Sequence, residues 1–342
     1  MPDLATRIHI QRFGPNDREP MLAALQVNNA VGEADAPWER PDLPSQYEAG
    51  LRHGYDGEPS MPYLLRVDGE PVGVGSLSLP ERENTHLAWL SVAVLPGHRR
   101  RGLGRALMRH LLHEAESAGR TSVGIDGWDS EAATGFAAAF GLPKASQEIM
   151  RRQHLAEVEP AVVRGLNDEA AAAAADYELV RVLGRTPPEL RAKLVEVTAA
   201  INDAPTDDLD IEDDVMSEER LTAYEDAMLT QGHRMYRLLA RHCGTRALGG
   251  HTVVAVEGER PAYAHQHDTA VLRGHRGHRL GLLLKAGMLL WLAEAEPQVE
   301  TVDTWNAESN DHMITVNEAL GYRVMGRVLQ FQGTLSDALG ST

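Results

Sequence analysis

The chain is 342 residues long, and at roughly 100 to 200 residues per domain that suits two compact domains better than one and excludes a short disulfide-stapled scaffold. Its 50 acidic side chains against 33 basic ones give a net charge of −17, which disfavours polyanionic nucleic acid and suits cationic or amine-bearing partners. Cys243 is the single cysteine, so no intrachain disulfide can form and a reducing cytosol is compatible. It reads as a small, half-buried apolar residue.

Residues 1–20 contain no apolar signal-type run, and no uncharged apolar stretch approaches the ~20 residues of a membrane span, so a soluble, cytoplasmic protein without a membrane partner is expected. All but three of the basic residues are arginine, a codon bias of GC-rich bacteria that bears on source rather than function.

In chain order, a first strand is predicted at about 7–13, followed by a helical and loop region. Three strands come next: PYLLRV (62–67), PVGVGSLSL (71–79) and THLAWLSVAVL (85–95), with turns such as VDGEP (67–71) making the middle strands antiparallel hairpins. HRRRGLG (98–104) then leads into an apolar-periodic helix at about 103–117. A strand ending at Trp128, a helix and a final strand or hairpin complete the series. The alanine-rich PAVVRGLNDEAAAAAAD (160–176) favours a helix over a floppy tether, which makes 156–176 a helical linker.

Beyond the linker the series recurs, with strands at 177–183, 235–241, 250–257 and 262–272 and a helix at about 280–294. At an offset of 177, VAVLPGHRRRGLGRAL (92–107) falls on TAVLRGHRGHRLGLLL (269–284) with 9 of 16 positions identical. The same offset carries Asp126 and Trp128 onto Asp303 and Trp305, and a three-residue slip then brings FGL (140–142) onto LGY (320–322). Two copies of one domain, at about 1–155 and 177–342, explain these matches.

A strand, a glycine-bearing basic loop and an amphipathic helix form a phosphate site: the first helical N–H groups have no internal partner, the helix dipole is positive there, and glycine lets the backbone approach the anion. The expected ligand is a pyrophosphate. Gly102, Gly104 and Leu107 give GxGxxL rather than a dinucleotide fingerprint, and no GK followed by Ser or Thr exists for a P-loop. RRRGLG (99–104), preceded by VAVLPGH and followed by ALMRHLLHEAESAG, resembles the acetyl-coenzyme A loop of the GNAT acetyltransferase superfamily. The tandem arrangement is similar to that of the mycothiol-synthase-like, actinobacterial two-domain acetyltransferases, in which one copy commonly keeps the chemistry.

That resemblance implies an α/β fold of two tandem GNAT-like domains, each a mixed, mostly antiparallel sheet flanked by helices. It implies acetyl-coenzyme A as co-substrate, held in the first copy by Val92, Ala93, Val94, Arg99, Arg100, Arg101, Gly102, Leu103, Gly104 and Arg105. In the second copy the holders would be Thr269, Ala270, Val271, Arg276, Gly277, His278, Arg279, Leu280, Gly281, Asn306 and Asn310, although Arg279 replaces the first glycine. A second family signature, an Asn, a Tyr and then a Gly with an aromatic, falls on Asn310, Asn317 and Gly321 with Tyr322, so the Tyr is missing. The first copy has Ser130 and Ala137 at the same places, and chemistry is therefore expected in the second copy.

There the backbone of Thr269–Val271 would polarise the thioester carbonyl. His265, His267 and Asp268 are the candidate bases, on alternating faces with both histidines on one, and Asn310 and Asn317 are the remaining catalytic candidates. No carboxylate or cysteine stands at a spacing that would complete a metal site with the histidines, so no metal is expected. Residues 203–226 hold 11 acids and one base, and Asp203, Asp207, Asp208 and Glu212 are the expected wall for a small cationic amine acceptor. Two alternatives stay open: a protein lysine or N-terminus as acceptor, and a non-catalytic acetyl-coenzyme A-binding sensor or scaffold. A monomer with pseudo-twofold pairing of its copies, or a homodimer, suits a duplicated domain.

Overall fold

The computed structural model describes residues 8–341. They fall into two compact units that are not contiguous in sequence, 8–147 with 207–212 and 326–341, and 148–206 with 213–325.

In the first unit β1 (Ile8–Arg12), β2 (Met61–Val67), β3 (Glu70–Ser78) and β4 (Leu87–Val94) pair antiparallel in that order. The β2–β3 hairpin turns on Asp68 and Gly69, both at positive φ, the conformation whose twist matches the flanking strands. β5 (Ser122–Trp128) returns parallel to β4 after α3 (Leu103–Ser117). β12 (Arg323–Thr334), from the far end of the chain, closes this sheet by pairing antiparallel with β5 over Val328–Thr334.

Leu103, Leu107, Met108, Leu111, Leu112 and Ala115 of α3 recur at helical spacing and pack on Leu90, Val123 and Ile125, with α10 (Leu335–Gly340) in the same core. Each of these leucines and Met108 contributes about 1.5–3 kcal/mol by leaving water. The opposite sheet face is covered by α1 (Arg18–Asp35), whose Met21, Ala24 and Val27 meet Leu64 and Val74, and by Leu51 and Tyr47 of α2 (Pro44–His53). α4 (Glu131–Ala138) follows β5.

The second unit repeats this plan. β7 (Tyr177–Leu183), β8 (Arg234–His242), β9 (Leu248–Val256) and β10 (Tyr263–Val271) are antiparallel, β11 (Thr301–Ala307) runs parallel to β10, and β6 (Lys144–His154) closes the sheet by pairing with β11 from Glu148 onward. Thus each unit takes its closing strand from the other half of the sequence. β6 and β12 are the same strand of two copies, so each offers the edge the other copy's sheet requires.

α8 (Leu280–Ala295) is buried on nearly every side, unlike its counterpart α3, because α5 (Pro160–Ala173) covers the side that α3 leaves to water: Val163 and Ala170 share a core with Leu282, Leu283 and Ala286. Helix α5 occupies the alanine-rich stretch between the copies. α6 (Pro188–Thr198) and α7 (Glu218–Thr230) pack on the other face, and α9 (Asp311–Ala319) follows β11. Cys243 is exposed in the β8–β9 turn, not half-buried, because the turn carries it clear of the sheet. No helix among the described residues is long and apolar enough to cross a membrane.

Candidate active site

In the first unit β4 and β5 are paired only from Leu87↔Ser122 to Leu90↔Ile125. β4 continues along β3 to Val94 and β5 continues along β12 to Trp128, so the two strands part beyond Leu90. The parting leaves the backbone of Ser91, Val92, Ala93 and Val94 unpaired on the β5 side, where an extended ligand can hydrogen-bond. At the end of β4 a 3₁₀ turn (Pro96–His98) leads into the basic loop, and Arg100 and Gly102 both take positive φ before α3 begins. Gly102 is the residue immediately before the helix, at φ 82°, and Leu103 is buried behind it as an anchor.

The arginines of this loop divide by role. Arg99 donates from Nε to the Val94 carbonyl at 2.8 Å and clamps Asp35 with both terminal nitrogens at 2.8 and 2.7 Å, so it braces the turn. Arg100 and Arg101 are exposed and have no ion-pair partner among the described residues, which leaves two guanidinium groups beside the first N–H groups of α3. Arg105 lies on the outer face of α3, with its guanidinium 6.0 Å from the Phe140 ring centre.

The second unit has the same backbone and a different charge balance. β10 and β11 part beyond Gln266↔Thr304, and Gly277 and Arg279 take the two positive-φ positions of Arg100 and Gly102. Each loop therefore supplies one glycine where two would serve, in opposite places. Arg276 repeats the brace of Arg99, binding the Val271 carbonyl and Asp203. Asp203 also binds Arg273, whose hydrogen bond is the main reason its carboxyl is held below the usual range. Arg279 is ion-paired to Glu169 of α5. Every arginine of this loop is committed to a carboxylate, and only His278 is left toward the helix N-terminus. Leu280 and Gly281 open α8 from buried positions, and Thr269 and Ala270 belong to β10, where Thr269 shares a 2.7 Å hydrogen bond with Thr252.

The polar residues expected in the second copy are found with structural partners. Asn310 is the N-cap of α9, accepting from the Met313 N–H at 3.1 Å, as Ser130 caps α4 by accepting from Ala133. Asn317 is fully buried and donates to Asn306, which also accepts from Arg151 at 2.9 Å. Its counterpart Ala137 is buried too, so that helix position packs inward in both units.

A bulge between Gln266 and Thr269 breaks the simple alternation expected for β10 and places His267 and Asp268 within it. His265 binds Glu257 at 2.8 Å and lies over His233, while His267 binds the Tyr224 hydroxyl at 2.7 Å. Burial, then the charges of His265, His233 and Arg237, hold His267 at about 3, so it is neutral and has no useful affinity for an ammonium proton. Burial also raises Asp268. Burial opposes the ionisation of Glu257, but hydrogen bonds from His265 and Arg260 hold it at about 2, leaving it charged to orient His265.

The expected acidic wall does not stay together. Asp203 is the brace described above, as Asp35 is in the first unit. Asp207, Asp208 and Glu212 belong to the first unit: Asp207 accepts from Ser146 at 2.7 Å, the Asp208 N–H binds the Ala145 carbonyl, and Glu212 accepts from the Asn84 N–H. Asp210 between them exchanges backbone hydrogen bonds with the Gln332 side chain. The segment thus lies on the sheet face opposite α3. Among the described residues no group of three or more His, Cys, Asp or Glu side chains could hold a metal.

Residues 27–142 match the sequence model of the acetyltransferase (GNAT) family. This segment therefore resembles a GNAT acetyltransferase domain. A tandem GNAT protein from the clavulanic acid biosynthesis pathway is 29% identical, with 96% of this chain and 98% of that one covered at a TM-score of 0.80, so the tandem GNAT fold extends over the whole chain. A GCN5-related N-acetyltransferase from Sphaerobacter thermophilus shares that fold at 17% identity, 97% coverage of both chains and a TM-score of 0.67. So does a glucosamine N-acetyltransferase region of a fungal multi-domain β-N-acetylglucosaminidase, at 13% identity, 95% of this chain, 38% of that one and a TM-score of 0.65. No curated protein matches the sequence. GNAT enzymes use acetyl-coenzyme A.

One polar residue at the parting of the strands was visible in the sequence only as a repeat match. Asp126 lies on β5 where the strands part, and its neighbour Trp89 becomes apparent only through the Trp89↔Gly124 pairing. Beside it, Trp38 and Trp128 meet edge to face at 5.3 Å.

Proposed function

We propose that the protein is an acetyl-coenzyme A-dependent N-acetyltransferase acting on a small cationic amine, with the co-substrate held by the N-terminal unit. The observation that carries this reading is the loop Arg99–Gly104: a positive-φ glycine before α3, two uncommitted arginines, and β4 backbone left unpaired by β5. In this arrangement Arg100, Arg101 and the first N–H groups of α3 hold the pyrophosphate, and the backbone of Val92–Val94 binds the extended arm and the thioester carbonyl. Acetyl-coenzyme A supplies the activated acyl group. The acidic segment Asp207–Glu212 belongs to this unit and gives it a field that attracts a cationic amine, and the Asp208 carboxylate has no ion-pair partner among the described residues.

In this reading the C-terminal copy, which its Asn positions favour for chemistry, does not hold the co-substrate, because Asp203 and Glu169 already pair with the arginines of its loop and Asn310 and Asn317 already have partners within the fold. Native mass spectrometry with acetyl-coenzyme A tests the assignment. One bound molecule is expected. Gly104→Asp, which places a carboxylate in the cradle, should remove it, and Gly281→Asp should leave it bound. Loss of binding in Gly281→Asp alone would move the site to the C-terminal unit.

A further inference from the structure

We propose that Asp126, held by the Trp89 indole at the point where β4 and β5 part, takes the proton from the acceptor amine in the N-terminal unit. This rests on the N-terminal cradle being the cofactor site.

Leu90, Val92 and Val94 of β4 and Val123 and Ile125 of β5 pack toward α3, so Trp89 and Ser91, with Gly124, Asp126 and Trp128, face the other way. Trp89 lies flat on Gly124: a Cβ added there would come within 2.2 Å of the indole ring, and only glycine lets the ring lie so close. That placement lets the indole hydrogen-bond the Asp126 carboxylate. Asp126 is exposed, and the last paired residues of the two strands are its neighbour Ile125 and Leu90. The carboxylate therefore stands beside the opening in which a thioester bound along β4 would present its carbonyl.

The duplicated domain provides an internal comparison. Asp303, the equivalent residue, is 4% exposed and is clamped by Arg152 through two hydrogen bonds of 2.7 and 2.8 Å. Among the described residues Asp126 has only the indole and its own backbone N–H as partners, and no charged side chain is paired with it. Facing it are Trp89 on β4, Trp128 on its own strand and Gln330 opposite on β12, with Asp210 of the acidic segment further along beyond Gln332. Although its carboxylate reaches solvent, the protein packed around it partly desolvates it and raises its proton affinity above the ordinary carboxylate value, while the indole and backbone hydrogen bonds limit the rise.

In the step this provides, Asp126 as carboxylate accepts one proton from the ammonium form of the acceptor. The neutral nitrogen then bonds to the thioester carbonyl carbon as the carbon–sulfur bond breaks. The nitrogen sheds its extra proton to the departing thiolate, and Asp126 returns its own to solvent. Trp89 is a positioning residue in this scheme.

The test uses the full chain with saturating acetyl-coenzyme A, reading free thiol released from pH 5 to 9 with water alone and with 1,4-diaminobutane as acceptors, and cofactor occupancy by native mass spectrometry. Asp126→Asn should keep occupancy and lower thiol release about 100-fold. Asp126→Glu should restore part of the rate. In the wild type the rate should fall as pH drops through the raised Asp126 value, and Trp89→Phe, by removing a hydrogen bond to the ionised form, should move that fall to higher pH without changing occupancy. Full thiol release by Asp126→Asn, an acid limb unmoved by Trp89→Phe, or an occupied wild type that releases no thiol under any of these conditions would overturn the assignment. An empty N-terminal cradle would instead refute the underlying functional reading.

Discussion

Glu225→Ala is expected to destabilise the C-terminal unit by about 3–5 kcal/mol, the usual result of stripping one partner from a buried ion pair. Glu225 is fully buried on α7 and accepts from the Thr186 N–H at 3.1 Å, from the Thr186 hydroxyl at 2.5 Å and from Arg237 at 3.4 Å. Arg237 is 1% exposed, and its other neighbour is His251, which burial and then the Arg237 charge hold at about 3. With Glu225 gone, the carboxylate left within electrostatic reach of Arg237 is Asp268, whose own ionisation burial opposes, and a neutral His251 supplies no anion. Loss of apolar contact is a minor part of the expected cost. Urea unfolding monitored by amide exchange in β8 and α7 measures it, and Arg237→Leu introduced in the same chain should recover most of the loss by removing the stranded charge. A change below about 1 kcal/mol for Glu225→Ala would mean that water reaches Arg237.

Strand and helix positions were legible because period-two and period-3.6 apolar patterns survive in both copies: the strands read at 62–67, 71–79 and 85–95 are found at Met61–Val67, Glu70–Ser78 and Leu87–Val94. The turn before α3 was legible because Gly102 answers a backbone requirement, positive φ before a helix, that glycine meets without strain. Pairing partners were not. β6 and β12 carry equivalent patterns, and nothing local distinguishes which sheet edge each will meet.

Charge roles were hidden for a similar reason. The sequence displays Arg99, Arg100 and Arg101 as equals, and only folding brings Asp35 to Arg99, Asp203 to Arg276 and Glu169 to Arg279. A count of acids near residue 210 likewise gives the sign of the local field but not the unit on which the segment lies. Asn310 and Asn317 illustrate the remaining difficulty: a cap or a buried bridge selects the same residue types as a catalytic site does.

Lys285→Met should stabilise the C-terminal unit, by an amount that depends on pH. Lys285 is 2% exposed on α8, where the repeat places Met108 of α3, itself fully buried. Its ammonium has no counter-ion among the described residues and lies 4.9 Å from the Tyr322 ring centre. That cation–π contact is worth about 0.5–2 kcal/mol. Desolvation outweighs it and lowers the lysine to about 7. An unfolded lysine titrates near 10.4, so below about 7 both states carry the proton and the folded state bears the full cost of burying it. Between about 7 and 10 the unfolded state binds more protons, and wild-type stability should rise with pH through this window. Methionine has no proton to lose and already fits the equivalent site. The expected gain is on the order of 2–4 kcal/mol at pH 6.5, or roughly 5–10 °C in the melting of this unit, shrinking toward zero near pH 10. Calorimetry of both proteins at pH 6.5, 8 and 9.5 provides the comparison. A constant difference across that range would show that Lys285 acts through packing alone.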